Sequence, residues 1–302
     1  MMNNDSAMKD IRNFLENNMR EDMSEEQINS LLAEFMKDYN NSPREVITEK
    51  NAKTSDDFLE LAQRAGTVQE ALKFGRKAIK LDPDNLDAEQ LVAELSATNS
   101  VDLVKKLDRA VKHGNEVMTK QGYMDKEYEG EFWLVIETRP YMRMRRSYVD
   151  ALVRCGMIGK AISECEDLLR LCANDNLGVR FILMHLYALT EREEDALALH
   201  TRFNNDNETQ MLLPLSILYF KKYDLSAAGK YADKLARANK DFKLFLKELR
   251  LGKLKKYEKG MSEYGYKPNT IEELIVELSD NAFLFDSSIS YLVWAENRFN
   301  SK

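Results

Sequence analysis

The chain has 302 residues, about twice the roughly 150 residues of an ordinary domain, so it forms either two domains or one elongated array. Its 12 glycines and 5 prolines are about half of average usage, which leaves few sites for strand turns and predicts an all-α protein. The net charge of -7 excludes a broad nucleic-acid-binding surface, because such surfaces neutralise phosphates with lysine and arginine.

The cysteines and the apolar stretches indicate in which cellular compartment the protein is expected. Cys155, Cys165 and Cys172 are an odd number without a C-x-x-C pair, which is typical of core thiols in a reducing compartment. Residues 1–9 lack the apolar stretch of a signal peptide. The most apolar stretches, 211–220 and 283–294, are about half of the roughly 20 residues that a membrane span requires. We therefore expect a cytoplasmic protein without a membrane span.

The first predicted elements are two short amphipathic helices. Ser24 and Gln27 have the S-x-x-Q spacing of a capping box and precede apolar residues at helical intervals. A shorter amphipathic stretch precedes them at 11–19. Residues 40–53 are polar, contain Pro43 and lack sustained periodicity. Residues 1–50 are therefore predicted to form an amino-terminal helical hairpin and a linker.

The next segment, residues 52–85, has the spacing of a tetratricopeptide (TPR) repeat. Such repeats are about 34 residues of helix, turn and helix, with a small residue at the helix crossing, another seven residues later, and a proline about five beyond. Ala71, Ala78 and Pro83 stand at these intervals. Alanine at a crossing lets the two helix axes approach closely, and proline ends one helix and begins the next.

The same pattern returns further along the chain. Ala161 and Ala196 are 35 residues apart, and Ala196 and Ala228 are 32 apart. The period fails between residues 86 and 139. Consecutive units near one period predict a TPR-like α-solenoid over residues 51–267, closed by helices that cap it at 268–302.

Several motifs carry a family resemblance. They are ETRPYMR at 137–143, LLRL at 168–171 and NDNLGVR at 174–180, with weaker similarity at 24–40 and 271–294. The chain resembles bacterial TPR-like proteins related to the suppressor-of-tumorigenicity family. Ala173 departs from the proline that usually precedes the Asn-Asp-Asn run. The resemblance implies an interaction protein with no established chemistry.

Motifs for catalysis, metals and cofactors are missing from the sequence. None of the three histidines, His113, His185 and His200, lies three to five residues from another histidine or a cysteine. The chain also lacks a G-x-G-x-x-G pattern, a phosphate-binding loop and a G-x-S-x-G elbow. We expect no catalytic residues, no bound metal and no cofactor, and hence no enzyme.

A set of arginines is the candidate binding site. If Met142 begins a repeat, Arg143, Arg146 and Arg154 occupy positions two, five and thirteen, which face the concave groove in TPR arrays. In the next repeat Arg180 occupies position five, on the same face as Met184 and Tyr187.

Two interpretations of these arginines remain open. Guanidinium groups bind carboxylates and phosphates in a bidentate manner, so the groove could bind an anionic ligand. Alternatively, internal ion pairs orient the helices and neutralise the arginines, with acidic partners at Glu137, Asp150, Asp167 and Asp175. The expected function is a scaffold or adaptor that binds an acidic or extended segment of a protein partner. The alternative is a regulator that responds to a ligand or peptide in the groove.

Overall fold

The computed structural model describes residues 11, 14, 15, 17–20, 23–41, 46–203, 207–258 and 265–300. Within this part of the chain the regular structure is helical and no β-strand occurs. The capping box that was predicted at Ser24 is present. The backbone N–H of Ser24 donates to the Gln27 side chain, and the backbone N–H of Gln27 donates to the Ser24 hydroxyl. Residues 1–9 and Pro43, on which two of the predictions rest, lie outside the described residues.

The chain divides into two compact units, which are described separately. The first unit comprises Met1–Met157 and Arg170–Asn174, and the second comprises Ile158–Leu169 and Asp175–Lys302. The boundary therefore crosses one helix near its carboxyl end.

The first unit is a series of helices packed on their neighbours in sequence. The helices are α1 (Glu25–Asn41), α2 (Ser55–Gln63), α3 (Val68–Leu81), α4 (Leu86–Ser96), α5 (Ser100–Lys120) and α6 (Arg139–Arg154). From α2 to α5 each helix packs on the next one in sequence, and α6 contacts both α4 and α5.

The second unit continues the pairing and ends in shorter helices. The helices are α7 (Ile158–Leu171), α8 (Val179–Leu189), α9 (Glu193–Phe203), α10 (Thr209–Lys221), α11 (Leu225–Ala238), α12 (Phe242–Arg250), α13 (Lys255–Glu258), α14 (Ile271–Asp280), α15 (Ala282–Asp286) and α16 (Ile289–Asn300). Helix α8 packs on α9 and α10, and α10 packs on α11.

The alanines that the sequence predicts at helix crossings are buried. Ala78, Ala161, Ala196 and Ala228 have no exposed surface, and Ala71 is 6% exposed. Five residues before three of these alanines the backbone takes a left-handed conformation, at Gly156, Glu191 and Tyr223. The turn and the buried alanine therefore recur together. The predicted all-α, TPR-like fold class is confirmed.

The irregular stretch between residues 86 and 139 contains a complete helix pair. α4 and α5 run from Leu86 to Lys120, close to the length of one repeat. The extra length lies in the connection at 121–138, which holds three single-turn 3-10 helices. The repeat period is interrupted by this long connection, and no repeat is missing.

This connection explains why alanine stands at residue 173. The backbone N–H of Ala173 donates to the carbonyl of Gly130 at 2.8 Å, next to a backbone bridge between Glu131 and Cys172. Arg170 and Glu129 lie 3.3 Å apart beside it. Proline has no N–H group and would leave the Gly130 carbonyl without this donor.

We predict that Ala173→Pro lowers the free energy of unfolding by about 1 to 3 kcal/mol, because it removes a hydrogen bond that ties the connection to the end of α7. Denaturant unfolding monitored by circular dichroism measures the change. Ala173→Ser keeps the N–H at this exposed position and should be close to neutral. Equal stability of the two variants would show that the hydrogen bond contributes nothing.

Candidate functional site

In the first unit, two polar contacts hold α4 and α6 side by side. The guanidinium of Arg143 grips Asp87 through two hydrogen bonds, Nε to Oδ1 at 3.1 Å and Nη2 to Oδ2 at 2.7 Å. About one turn further along both helices, the Gln90 side-chain amide donates to Ser147 Oγ at 2.7 Å. Because both contacts advance in the same direction along each helix, α4 and α6 run parallel at this surface.

The other two candidate arginines on α6, Arg146 and Arg154, have more exposed surroundings. Arg146 pairs with Asp150, one turn along the same helix, and the Asp150 side chain is 45% exposed. Arg154 is exposed in the last turn of α6. The structure therefore places Arg143, Arg146 and Arg154 on one helix of the first unit but in different surroundings.

In the second unit, Arg180 is tied to a buried carboxylate. Its guanidinium donates to Asp175 at 3.0 Å, and the Asp175 side chain is 1% exposed. The same carboxylate accepts the backbone N–H groups of Val179 and Arg180, the first two residues of α8. Burial raises the pKa of Asp175 above its usual range, against the opposing effect of these donors. Protonation of Asp175 is thus favoured by burial, and Arg180 is the charge that opposes it.

Aromatic rings complete the surroundings of Arg180. Its guanidinium lies 4.1 Å from the ring centre of Phe181 and 5.3 Å from that of Phe203. The other terminal nitrogen of Arg180, Nη2, lies 3.7 Å from Glu208 Oε2. The Arg180 side chain is 19% exposed, so most of it serves the packing at the beginning of α8.

Met184 and Tyr187 are buried inside the second unit. Met184 has no exposed surface, and the Tyr187 hydroxyl donates to Glu166 at 2.9 Å. Burial, followed by the contact with Glu166, raises the pKa of Tyr187. A ligand would have to displace part of the unit to reach either side chain.

The carboxyl-terminal helices cover the surface of α8 and α10. α15 packs on α8, and α14 packs on α10. Thr209 donates to Glu273 of α14 at 2.8 Å. His185 Nδ1 donates to the carbonyl of Phe181 at 2.8 Å, because a carbonyl can only accept.

The other ring nitrogen of His185 forms a second polar contact in this cover. Nε2 lies 2.6 Å from Glu277 Oε1 of α14, and both side chains are buried. The pair therefore brings α8 and α14 together through a close polar contact between buried side chains.

The arginines were proposed from the sequence register, whereas two further features were not predicted. Asp87, the partner of Arg143, was not among the expected acidic residues, because it belongs to the helix pair hidden in the irregular stretch. The second is a basic segment at residues 240–256, with seven lysines and arginines against two acidic residues. Its charge imbalance was visible in the sequence.

Within the described residues, no group of three or more His, Cys, Asp or Glu side chains is arranged to hold a metal ion. None of the described helices combines the length and the apolar character that a bilayer crossing requires.

The paired helices and the alanines at their crossings define a TPR-like helical repeat protein. A scan against models of known families finds no match, and a search of curated proteins finds none either. Among solved structures, the chain is similar to YrrB, described as a TPR protein with an unusual peptide-binding site. The identity is 17% and the TM-score is 0.44, over 64% of this chain and 90% of that one.

We predict that Arg180→Glu lowers the free energy of unfolding by about 3 kcal/mol, because it leaves the buried Asp175 carboxylate without its cation and adds a like charge. Chemical denaturation near neutral pH measures the difference. Arg154→Glu makes the same charge change at an exposed position and should stay within about 0.5 kcal/mol of the parent protein. A neutral Arg180→Glu variant would contradict the structural role of this pair.

Proposed function

We propose that the protein is a non-catalytic interaction scaffold that binds an extended acidic segment of a protein partner. The binding surface, here called the α6 surface, is the outward side of α6 that carries Arg146, Asp150 and Arg154. The observation that carries the proposal is the pairing of Arg146 with the half-exposed Asp150, about two turns before the exposed Arg154 on the same helix.

Energetics separate the arginines that hold the fold from those that can bind. A pair one turn apart on a helix with one partner open to water contributes about 0.3 to 0.5 kcal/mol. Because the Asp150 side chain is 45% exposed, a carboxylate from a partner can replace it at little cost. Arg143 is held by two hydrogen bonds to Asp87, and Arg180 is paired with the buried Asp175. A partner's carboxylate cannot replace these two acids at low cost. Both interpretations of the arginines thus apply, each to different residues.

The spacing of the two binding arginines describes the ligand. Arg146 and Arg154 are eight residues apart, which is about 12 Å along a helix. An extended chain rises about 3.3 Å per residue, so it covers that distance in about four residues. The proposed ligand has two carboxylates separated by about four residues in an extended conformation.

The rigidity of the α6 surface supports the same function. The contacts of α6 with α4 fix the backbone that presents Arg146 and Arg154. A preformed surface loses little conformational entropy on binding, which improves affinity for a flexible segment.

A regulator that opens at the second unit is less well supported. Moving α14–α16 away would expose the apolar side chains Ile271, Leu274, Leu284, Phe285 and Tyr291, all buried at present. Each costs about 1.5 to 3 kcal/mol to expose. This cost favours a scaffold with a fixed surface. The resemblance to the suppressor-of-tumorigenicity family and the cytoplasmic location stay predictions.

A peptide-binding experiment tests the proposal. A labelled, extended nine-residue peptide with two glutamates four residues apart should bind the full chain, and the same peptide with glutamines should not. Arg146→Gln and Arg154→Gln should each weaken binding about 3- to 10-fold, as expected for a charge contact of about 1 kcal/mol. Fluorescence anisotropy at low and high salt measures both effects.

Arg64→Gln is the matched control, since Arg64 is an exposed arginine that pairs with Glu60 one turn away on α2. This variant should bind as the parent protein does. Equal binding of the glutamate and glutamine peptides, or an equal loss in the Arg64 variant, would refute the α6 surface as the binding site.

A further inference from the structure

The second unit carries a recess that is separate from the α6 surface. It lies between α12 and α16, has a volume of about 380 Å³, and is lined by Lys243, Leu244, Leu246, Lys247, Arg250, Glu296, Phe299 and Asn300. Leu246 is 2% exposed and forms part of its floor, whereas Leu244 is 38% exposed at the rim. The recess thus combines an apolar floor with a basic rim.

Positive charge is concentrated along one side of α12. Lys243, Lys247 and Arg250 follow one another at intervals of four and three residues, which places them on the same face of the helix. They extend over seven residues, or about 10 Å. This row is basic although the chain as a whole has a net charge of -7.

The acidic residues of the same segment are already engaged. Asp241 accepts the backbone N–H of Ile271 at 3.1 Å, and the buried Glu248 pairs with Lys256 at 2.8 Å. In the recess itself, both oxygens of Glu296 accept from Arg250 Nε at 2.8 Å. Since Glu296 is 11% exposed and Arg250 is 58% exposed, the guanidinium lies over the carboxylate and faces solvent.

We propose that this recess, here called the α12 recess, binds an acidic amphipathic helix of a protein partner. Three carboxylates at intervals of four and three residues on the partner helix match the three cations on α12. One or two apolar side chains of the partner fit the volume of the recess and contact Leu244 and Phe299. The site lies outside the α6 surface and takes a helix in place of an extended segment.

Charge and shape favour a protein helix over other anions. A polyphosphate chain has no apolar group to place against Leu244, Leu246 and Phe299, so it uses only the basic part of the lining. A flat bilayer surface cannot enter a recess whose floor is formed by Leu246 and whose charge is partly balanced by Glu296. A short helix with separated carboxylates can place an apolar side chain in the recess and its charges beside the three cations of α12.

Binding of a designed peptide to the full chain tests this proposal. The probe is a labelled, alanine-based helix of 15 residues with three glutamates at intervals of four and three and two leucines beside them. It should bind, and the version with glutamines should bind at least 10-fold more weakly. The double variant Lys243→Gln/Lys247→Gln should lose at least 10-fold in affinity, and Leu244→Ser should lose about 3-fold.

The double variant Lys80→Gln/Lys105→Gln is the matched control, because it removes two exposed lysines from the first unit with the same change in net charge. It should bind the probe as the parent protein does. The Arg146→Gln and Arg154→Gln variants should also bind this probe normally, so failure of the α6 surface and failure of the α12 recess are distinguishable.

Two results would overturn the proposal. One is an equal loss of affinity in the Lys80/Lys105 control, which would reduce the effect to overall charge. The other is tighter binding of vesicles of phosphatidylserine and phosphatidylcholine, or of a 15-nucleotide RNA, with the same dependence on Lys243 and Lys247. Circular dichroism confirms that each variant retains its helices before binding is measured.

Discussion

The close approach of paired helices at alanine is the contact on which the rest of the structure depends. A helix of ten to fifteen residues is marginal by itself in water, so each must bury its apolar face on a neighbour. Alanines without exposed surface, such as Ala78, Ala196 and Ala228, allow this approach. The residues between them then take positions fixed by the repeat.

The arginines on this framework fall into two groups according to their surroundings. Arg143 and Arg180 bind carboxylates that are 18% and 1% exposed and so fix the position of a helix. The carboxylate that pairs with Arg146 is 45% exposed and Arg154 is itself exposed, so water competes for these charges. In the proposed scaffold, the first group holds the surface in place and the second group binds the partner.

The repeat could be predicted from the sequence because it depends on local spacing. The intervals between Ala71, Ala161, Ala196 and Ala228 predicted the repeat by themselves, and the structure buries all four. The groove positions of the arginines were inferred from the same register and stay a prediction. These features need no knowledge of contacts between distant residues.

The partners of the arginines could not be predicted in the same way. Asp87 reaches Arg143 across 56 residues, through a connection whose length no periodicity specifies. The cover over α8 and α10 depends on Glu277 and Glu273, which resemble ordinary solvent-exposed acids in the sequence but are buried in the structure. Ala173, by contrast, was noticed as a departure from the family pattern, and its backbone hydrogen bond gives the reason.

A pair of double-mutant cycles tests the central claim, which is that Arg143 holds the fold and Arg146 does not. One cycle uses Asp87→Asn and Arg143→Gln, and the other uses Asp150→Asn and Arg146→Gln, with unfolding free energies measured in urea. The account predicts a coupling of about 1 to 2 kcal/mol for the first pair and less than about 0.5 kcal/mol for the second. Equal couplings, or a larger coupling for Asp150 and Arg146, would contradict it.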